Sequence, residues 1–289
     1  MTHENAGKTA AEILDYGKKL IKPGVKLKEV TNKIEEKIYS MKATPAFPPQ
    51  LSLNSIAAHY YSDNKDETEF KEADLVKLDI GIHIRGNIAD TAATVDLSQN
   101  NEEIVKASKE ALDAALKLFI PGTKLRVIGK EIEAVIKSHG FNPIKNLSGH
   151  EIKAYDLHAG LTVPNFDNKD ETKLEDGQVF AVEPFATTGD GYVKDGKLSG
   201  IYFLVNPKNV RSGREVLNFI ADNFQTLPFH KKYLVKKFGE FKTNFALRIL
   251  ERDEIIHQYN QLVERSNGLV SQAEHTVIVK DKPIITTKI

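Results

Sequence analysis

A helix, a Pro-Gly turn and a second helix occur in this chain, and the same order returns 98 positions later, Pro23 against Pro121. Apolar residues at helical spacing from Ala10 to Ile21 lead into Pro23-Gly24-Val25-Lys26-Leu27, and a second helical pattern runs to about Met41. In the later copy, Glu102 to Phe119, with Asn100 or Asn101 as its cap, leads into Pro121-Gly122-Thr123-Lys124-Leu125 and a helix to about His139. The duplication extends into strand-like segments. Asp74-Leu75-Val76-Lys77-Leu78-Asp79 resembles Asp176-Gly177-Gln178-Val179-Phe180-Ala181-Val182-Glu183, which aligns Asp79 with Glu183. An acid ending an apolar strand in both copies points to two related α/β units that each deliver a carboxylate to a shared site. A coincidence between two common strand patterns is the alternative.

From Pro207 to about His257 the repeat breaks down into a helical, lysine-rich stretch interrupted at Leu227-Pro228-Phe229, which reads as an insert. Residues 1–206 and 258–289 then form the main domain and 207–257 the insert. Gln272 to Val279 alternates and is rich in β-branched residues, so the chain is expected to return to a sheet. The length, 289 residues, allows a well-buried core. Lys+Arg and Asp+Glu balance at 40 each, so overall charge predicts neither sequence-specific nucleic acid nor an anionic membrane as a partner. No run is long and apolar enough for a signal peptide or a membrane span, and a cytoplasmic protein is expected. The absence of cysteine excludes disulfides and thiolate metal sites.

The informative residues are Asp79, Asp90, His150, Glu183 and Glu274, each in or beside a strand, where a bare charge is expensive to bury. Something cationic must compensate four carboxylates, and Lys77 and Arg85 are too few. Two divalent ions would neutralise and be ligated by the set. Carboxylates with one imidazole suit Mn, Fe, Co, Ni or Zn, whereas calcium calls for more oxygens and no nitrogen. Asp79 and Asp90 flank a turn at Arg85-Gly86-Asn87, and a hairpin of that length can bring both acids to one end. His150-Glu151 is not a zincin motif, because the required second histidine is replaced by Ala154.

The ordered set is the specific signal: Asp79-Ile80-Gly81, Ile88-Ala89-Asp90, Leu147-Ser148-Gly149-His150-Glu151-Ile152, Phe180-Ala181-Val182-Glu183-Pro184-Phe185-Ala186-Thr187 and Gln272-Ala273-Glu274-His275-Thr276. It resembles the five-ligand signature of the methionine aminopeptidase and prolidase superfamily over nearly the whole chain. An insert before the last ligand is similar to that of the type II methionine enzymes, and the lack of a long amino-terminal extension makes the chain resemble the archaeal form. The resemblance implies a pita-bread fold of two pseudo-symmetric halves and removal of the initiator methionine when the second residue is small. The rival within the superfamily is an Xaa-Pro aminopeptidase or prolidase. From another class comes a non-catalytic relative that binds ribosomes or RNA, which would be expected to have lost ligands.

The same resemblance implies the roles. Asp90 and Glu274 would bridge two metal ions, Asp79 would bind one, and His150 and Glu183 would complete the other, with Glu183 also a proton carrier. His59 and His158 resemble the residues that contact the scissile amide nitrogen and carbonyl oxygen; buried structural histidines are the plainer reading. Thr94 would sit behind the ligands as a partner of the bridging water, with a plain strand threonine as the alternative. Phe47, Leu157, Ile201, Tyr259 and Leu262 would wall the methionine pocket. Expected partners are N-terminal methionyl peptides and nascent chains, met by a monomer. Lys231, Lys232, Lys236 and Lys237 read as a solvated helix face, with ribosome contact the alternative.

Overall fold

The computed structural model of the chain describes residues 2–206, 208 and 210–288. Its helices are α1 (His3–Leu20), α2 (Leu27–Ser40), α3 (Glu102–Leu116), α4 (Leu125–Ser138), α5 (Arg214–Asn223), α6 (Lys231–Phe238) and α7 (Glu240–Arg252). The two helix pairs are built alike. Gly24 N donates to Phe70 O and Gly122 N to Leu174 O, both at 2.8 Å; Leu27 N donates to Thr68 O at 3.0 Å and Leu125 N to Thr172 O at 2.9 Å. Both glycines take a positive φ, 81° and 87°, a conformation that costs glycine little and other residues more.

Each helix pair closes its own apolar core. Ile13, Ile34 and Ile38 pack on Leu78, Ile80 and Ile82 in the first half, and Ile128, Ile132 and Ile136 pack with Phe119, Phe180 and Val277 in the second. The first helix starts earlier than its strongest periodicity, because Ala6 is buried in the same core as Ala10 and Ile13. Asn101 occupies the capping position of α3 without capping it; its amide donates to Asp96 and Ser98 instead.

Every strand pairing described is antiparallel. Leu75–Ile84 and Asn87–Asp96 form a hairpin closed by Arg85 and Gly86, both at positive φ (52° and 87°), as a two-residue type I′ turn requires. Asp79 faces Ala92 and Asp90 faces Gly81, so the two acids share one face on a diagonal in mid-hairpin, not at its end. Asp79 does not end its strand, which runs on because Ile80 and Ile82 are buried beyond it. Glu183 does follow the last residue of Val179–Val182.

The closing segment is not one strand. Val270–Gln272 pairs with Phe185–Thr187, and His275–Ile278 pairs with Val179–Val182 in another sheet. At the break, Glu274 N donates to Ala92 O at 3.0 Å and joins the second half to the first-half hairpin. Helices α5 to α7 lie between the long strands Val193–Leu204 and Ile256–Glu264 and form a further core around Leu217, Ile220, Leu234 and Leu250. Pro207, the expected first residue of the insert, lies outside the described residues, and Ile256 and His257 already belong to a strand.

Ile34→Ala and Ile132→Ala each delete contacts in one of the two separate cores and should each destabilise the fold by about 2–5 kcal/mol. Because the cores share no residue, the double variant should add to within about 0.5 kcal/mol. Urea unfolding of the three variants measures both, and strong non-additivity would mean the halves are not separately packed.

Candidate active site

The hairpin, the five-stranded sheet and the break at Ala273-Glu274 deliver all five predicted ligands to one cavity of about 270 Å³. Asp79 and Asp90 come from adjacent strands, His150 from Ser148–Ile152 and Glu183 from the end of the next strand. Glu274 comes from the crossing between sheets. His150 Nε2 lies 3.7 Å from both Asp90 Oδ2 and Glu183 Oε1. One ligand atom from each of Asp90, His150 and Glu274 falls within 4.8 Å of the others.

The backbone behind these groups is fixed by threonines. Asp90 N donates to Thr276 Oγ1, which donates to Asp90 O, both at 2.8 Å, and Thr91 Oγ1 donates to Glu274 O at 2.9 Å. Gln272 Nε2 donates to Asp79 Oδ2 at 3.5 Å and Glu183 Oε2 at 3.4 Å. Sequence reasoning missed Gln272, although its place two residues before Glu274 in an alternating segment was a signal that they share a face.

No lysine or arginine lines this cavity. Burial pushes the Asp79 carboxyl up to about 7, and burial together with neighbouring carboxylates holds Asp90, Glu183 and Glu274 well above the usual range. Burial pushes His150 down to about 3, so its ring is neutral and cannot supply the missing positive charge. Asp79 Oδ1, Asp90 Oδ1 and Glu274 Oε2 are buried without a hydrogen-bond partner. Orphaned carboxylate oxygens beside a neutral imidazole are what divalent transition-metal ions would satisfy, and this donor set fits them.

The other predicted residues line the same cavity, with one exception. His59 takes φ 66°, and its Nδ1 lies 2.9 Å from Asn260 O; a carbonyl only accepts, so Nδ1 carries the proton and Nε2 keeps its lone pair. Burial pushes its pKa down to about 4. The His158 ring packs edge-on to that of His150 with centroids 4.4 Å apart, and the surrounding protein lowers its pKa too. Phe47, Leu157, Ile201, Tyr259 and Leu262 form the apolar wall together with Phe185, and Gln50, whose Oε1 accepts from His59 N, also lines the cavity; the sequence singled out neither of these two. Thr94 is the exception. Its hydroxyl donates to Gln272 O at 2.7 Å and accepts from Gln272 N at 2.9 Å, so it grips the backbone of Gln272 and does not reach the ligand cavity.

A model of metallopeptidase family M24 matches residues 2–281. The chain belongs to this family. It is 46% identical over 287 residues to the methionine aminopeptidase of Pyrococcus abyssi, covering 98% of this chain and 97% of the relative. The methionine aminopeptidase of Methanocaldococcus jannaschii is 43% identical over 286 residues, with coverage of 98% and 96%. Among solved structures, a thermophilic Arx1 superposes with a TM-score of 0.85 at 17% identity, covering 98% of this chain and 90% of that one. Methionine aminopeptidase from Rickettsia prowazekii gives 0.72 at 20% identity, with 99% and 95% covered. Prolidase from Pyrococcus furiosus gives 0.61 at 16%, covering 99% of this chain and 63% of its own. The chain has the pita-bread fold that the resemblance implied, and these solved structures share it. The chain is a metal-dependent aminopeptidase of that fold.

The shifted carboxylates give the site a pH signature. Without metal, a carboxyl whose folded pKa is raised imposes no penalty below its unfolded value near 4, and one that grows up to about 7, the value for Asp79, and then stays constant. A divalent ion removes that penalty by replacing the protons. The rise in Tm on adding Mn²⁺ should therefore be larger at pH 8 than at pH 5, with protons released on binding. Equal rises at both pH values would show that these carboxyls are not the ligands.

Proposed function

We propose that the chain removes methionine from the amino terminus of newly made proteins, with Asp79, Asp90, His150, Glu183 and Glu274 holding two divalent ions. The observation that carries this reading is a single cavity in which four buried carboxylates and a neutral imidazole face an apolar wall of Phe47, Leu157, Ile201, Tyr259 and Leu262. The methionine aminopeptidases that match nearly the full chain at 43–46% identity support it. Asp79, Asp90, His150, Glu183 and Glu274 would hold the ions, and ligand atoms of Asp90, His150 and Glu274 already lie within 4.8 Å of one another. When bound, the ions supply Lewis acidity and a water acidified towards neutrality.

The chain's own residues divide the remaining work. Glu183, in the same cavity as the ligands and His59, would carry a proton from the attacking water to the leaving amine. His59 is neutral with a free Nε2 lone pair, so it accepts from the scissile amide N–H and orients the bond. His158, beside His150 at the cavity mouth, donates to the first peptide carbonyl as negative charge develops on its oxygen. The apolar wall excludes water around an unbranched thioether side chain. A second residue packed between ligands and histidines must be small.

The substrates of this reading are methionyl peptides and nascent chains, and the place of work is the cytoplasm. No described helix is long and apolar enough to cross a membrane.

Methionine should be preferred at the first position over leucine by about 10–200-fold, because the branch at leucine Cγ misfits a wall shaped for an unbranched chain, a misfit on the scale of one methylene in an apolar pocket. The comparison is kcat/KM for Met-Ala-Ser, Leu-Ala-Ser, Met-Lys-Ser and Ala-Pro-Ser at one Mn²⁺ concentration, and Met-Ala-Ser should lead. If Ala-Pro-Ser led, the proline-peptidase rival would replace this reading; cleavage of none under any metal would favour a non-catalytic role. His158→Ala should lower kcat about 10²–10³-fold, the scale of one lost oxyanion donor, while metal content stays unchanged. Asp90→Asn should lose metal as well as activity. Metal loss in His158→Ala would mean that the wrong histidine carries the ligand role.

A further inference from the structure

Lys77 is fully buried in the middle of Leu75–Ile84, two residues before Asp79 and on the same face of the strand. A buried lysine nitrogen is costly without a hydrogen-bond partner, so this side chain must hold something in return. Its row of the sheet is Ser52, Lys77, Thr94, directly beside the row Gln50, Asp79, Ala92 that faces the cavity. Nζ donates to Asn54 O at 2.7 Å, and that same carbonyl accepts from Val270 N at 3.1 Å.

Asn54 opens the turn between Gln50–Leu53 and Ile56–Ala58, strands of two different sheets, the second of which leads to His59. It takes φ 53°, and both of its ends are tied: its side chain accepts from Leu75 N and donates to Asp74 Oδ1, each at 2.9 Å, while its backbone N donates to Leu75 O at 2.8 Å. Three segments therefore meet at one carbonyl oxygen. One carries Asp79, one carries His59, and one leads from Val270 through Gln272 to Glu274. Thr94, opposite Lys77, grips the backbone of Gln272.

We propose that Lys77 is a positioning residue that acts through the Asn54 carbonyl to set His59 against Asp79. A methionine leaves that oxygen to Val270 alone, so Asn54 stays tied to Asp74 and Leu75 but its carbonyl, and the chain that leads on to His59, can tilt. Asp90 and Glu274 keep the threonine hydrogen bonds that hold them, whereas His59 loses its alignment with the scissile bond. The proposal rests on the role given to His59 above.

The test is a double-mutant cycle of Lys77→Met and His59→Ala, reading kcat and KM for Met-Ala-Ser together with bound Mn²⁺ and Tm. Lys77→Met should keep its Mn²⁺ stoichiometry and KM while kcat falls about 10- to 100-fold, the scale of a misaligned catalytic group. In the His59→Ala background the same change should cost less than about 2-fold, because the group it positions is gone. Lys77→Arg, which keeps a nitrogen donor at the end of a long stem, should recover part of kcat. If Lys77→Met does not fold, Lys77→Gln, with an amide donor on a shorter stem, takes its place in the cycle. A kcat loss that persists undiminished without His59, or loss of Mn²⁺ in Lys77→Met, overturns the proposal alone. Full activity of His59→Ala sinks the His59 reading and this proposal with it.

Discussion

Four carboxylates converge on one small volume without a lysine or arginine among them, and much of the architecture is what it takes to hold them there. Left to themselves, Asp79, Asp90, Glu183 and Glu274 would separate or stay protonated, and burial does hold their pKa values above the usual range. The fold answers with backbone rigidity. Asp90 sits in the centre of a ten-residue strand, and the hydroxyls of Thr91 and Thr276 close hydrogen bonds between the Asp90 and Glu274 segments. Ligand spacing is thus fixed before any ion arrives, and the free energy of metal binding need not order the chain.

The pseudo-symmetry explains how one chain assembles such a centre. Each half makes a helix pair whose second helix is pinned at its start by an extended segment, Thr68 to Phe70 in one and Thr172 to Leu174 in the other. Each then feeds a strand that carries an acid, Asp79 or Glu183. The halves meet where Ala92 and Glu274 exchange backbone hydrogen bonds, so the ligands lie between two packed bodies and not inside either. A site at such a junction inherits its geometry from two separate cores, Ile34 and its neighbours on one side and Ile132 and its neighbours on the other.

Much of this was legible in the sequence because it is local or repeated. Helical periodicity, the two Pro-Gly turns and the Arg85-Gly86 turn are short-range signals, and the acids stood out because their neighbours are apolar. What was not legible depends on register and on partners distant in the chain. Whether Asp79 ends its strand or lies within it is decided by how far Asn87–Asp96 pairs along it. The break at Ala273-Glu274 does not interrupt the alternation of residues, so nothing local announced that the chain changes sheets there. Thr94 reads as a plausible partner of the ligands, but its hydroxyl is taken by the Gln272 backbone.

Lys232 shows the same limit most clearly, and it bears on the pocket. The sequence groups it with Lys231, Lys236 and Lys237 as a solvated face; Lys236 and Lys237 are indeed exposed, whereas Lys232 reaches across to Glu35 of α2. Glu35 also accepts from Tyr61 and Tyr233 at 2.8 Å each, and the Lys232 ammonium lies 5.0 Å from the Tyr61 ring centroid. Tyr61 in turn packs on His230, whose Nδ1 caps α6 and whose strand pairs with Ile201 in the pocket wall. A buried ion pair of this kind adds little net stability, because desolvation offsets the attraction, but removing one partner strands the other charge. Its physical effect is to make one orientation of α6 against α2 far better than any other. The apolar wall at Ile201 is therefore held in place from the amino-terminal half of the chain, through a contact that no local pattern in either segment encodes.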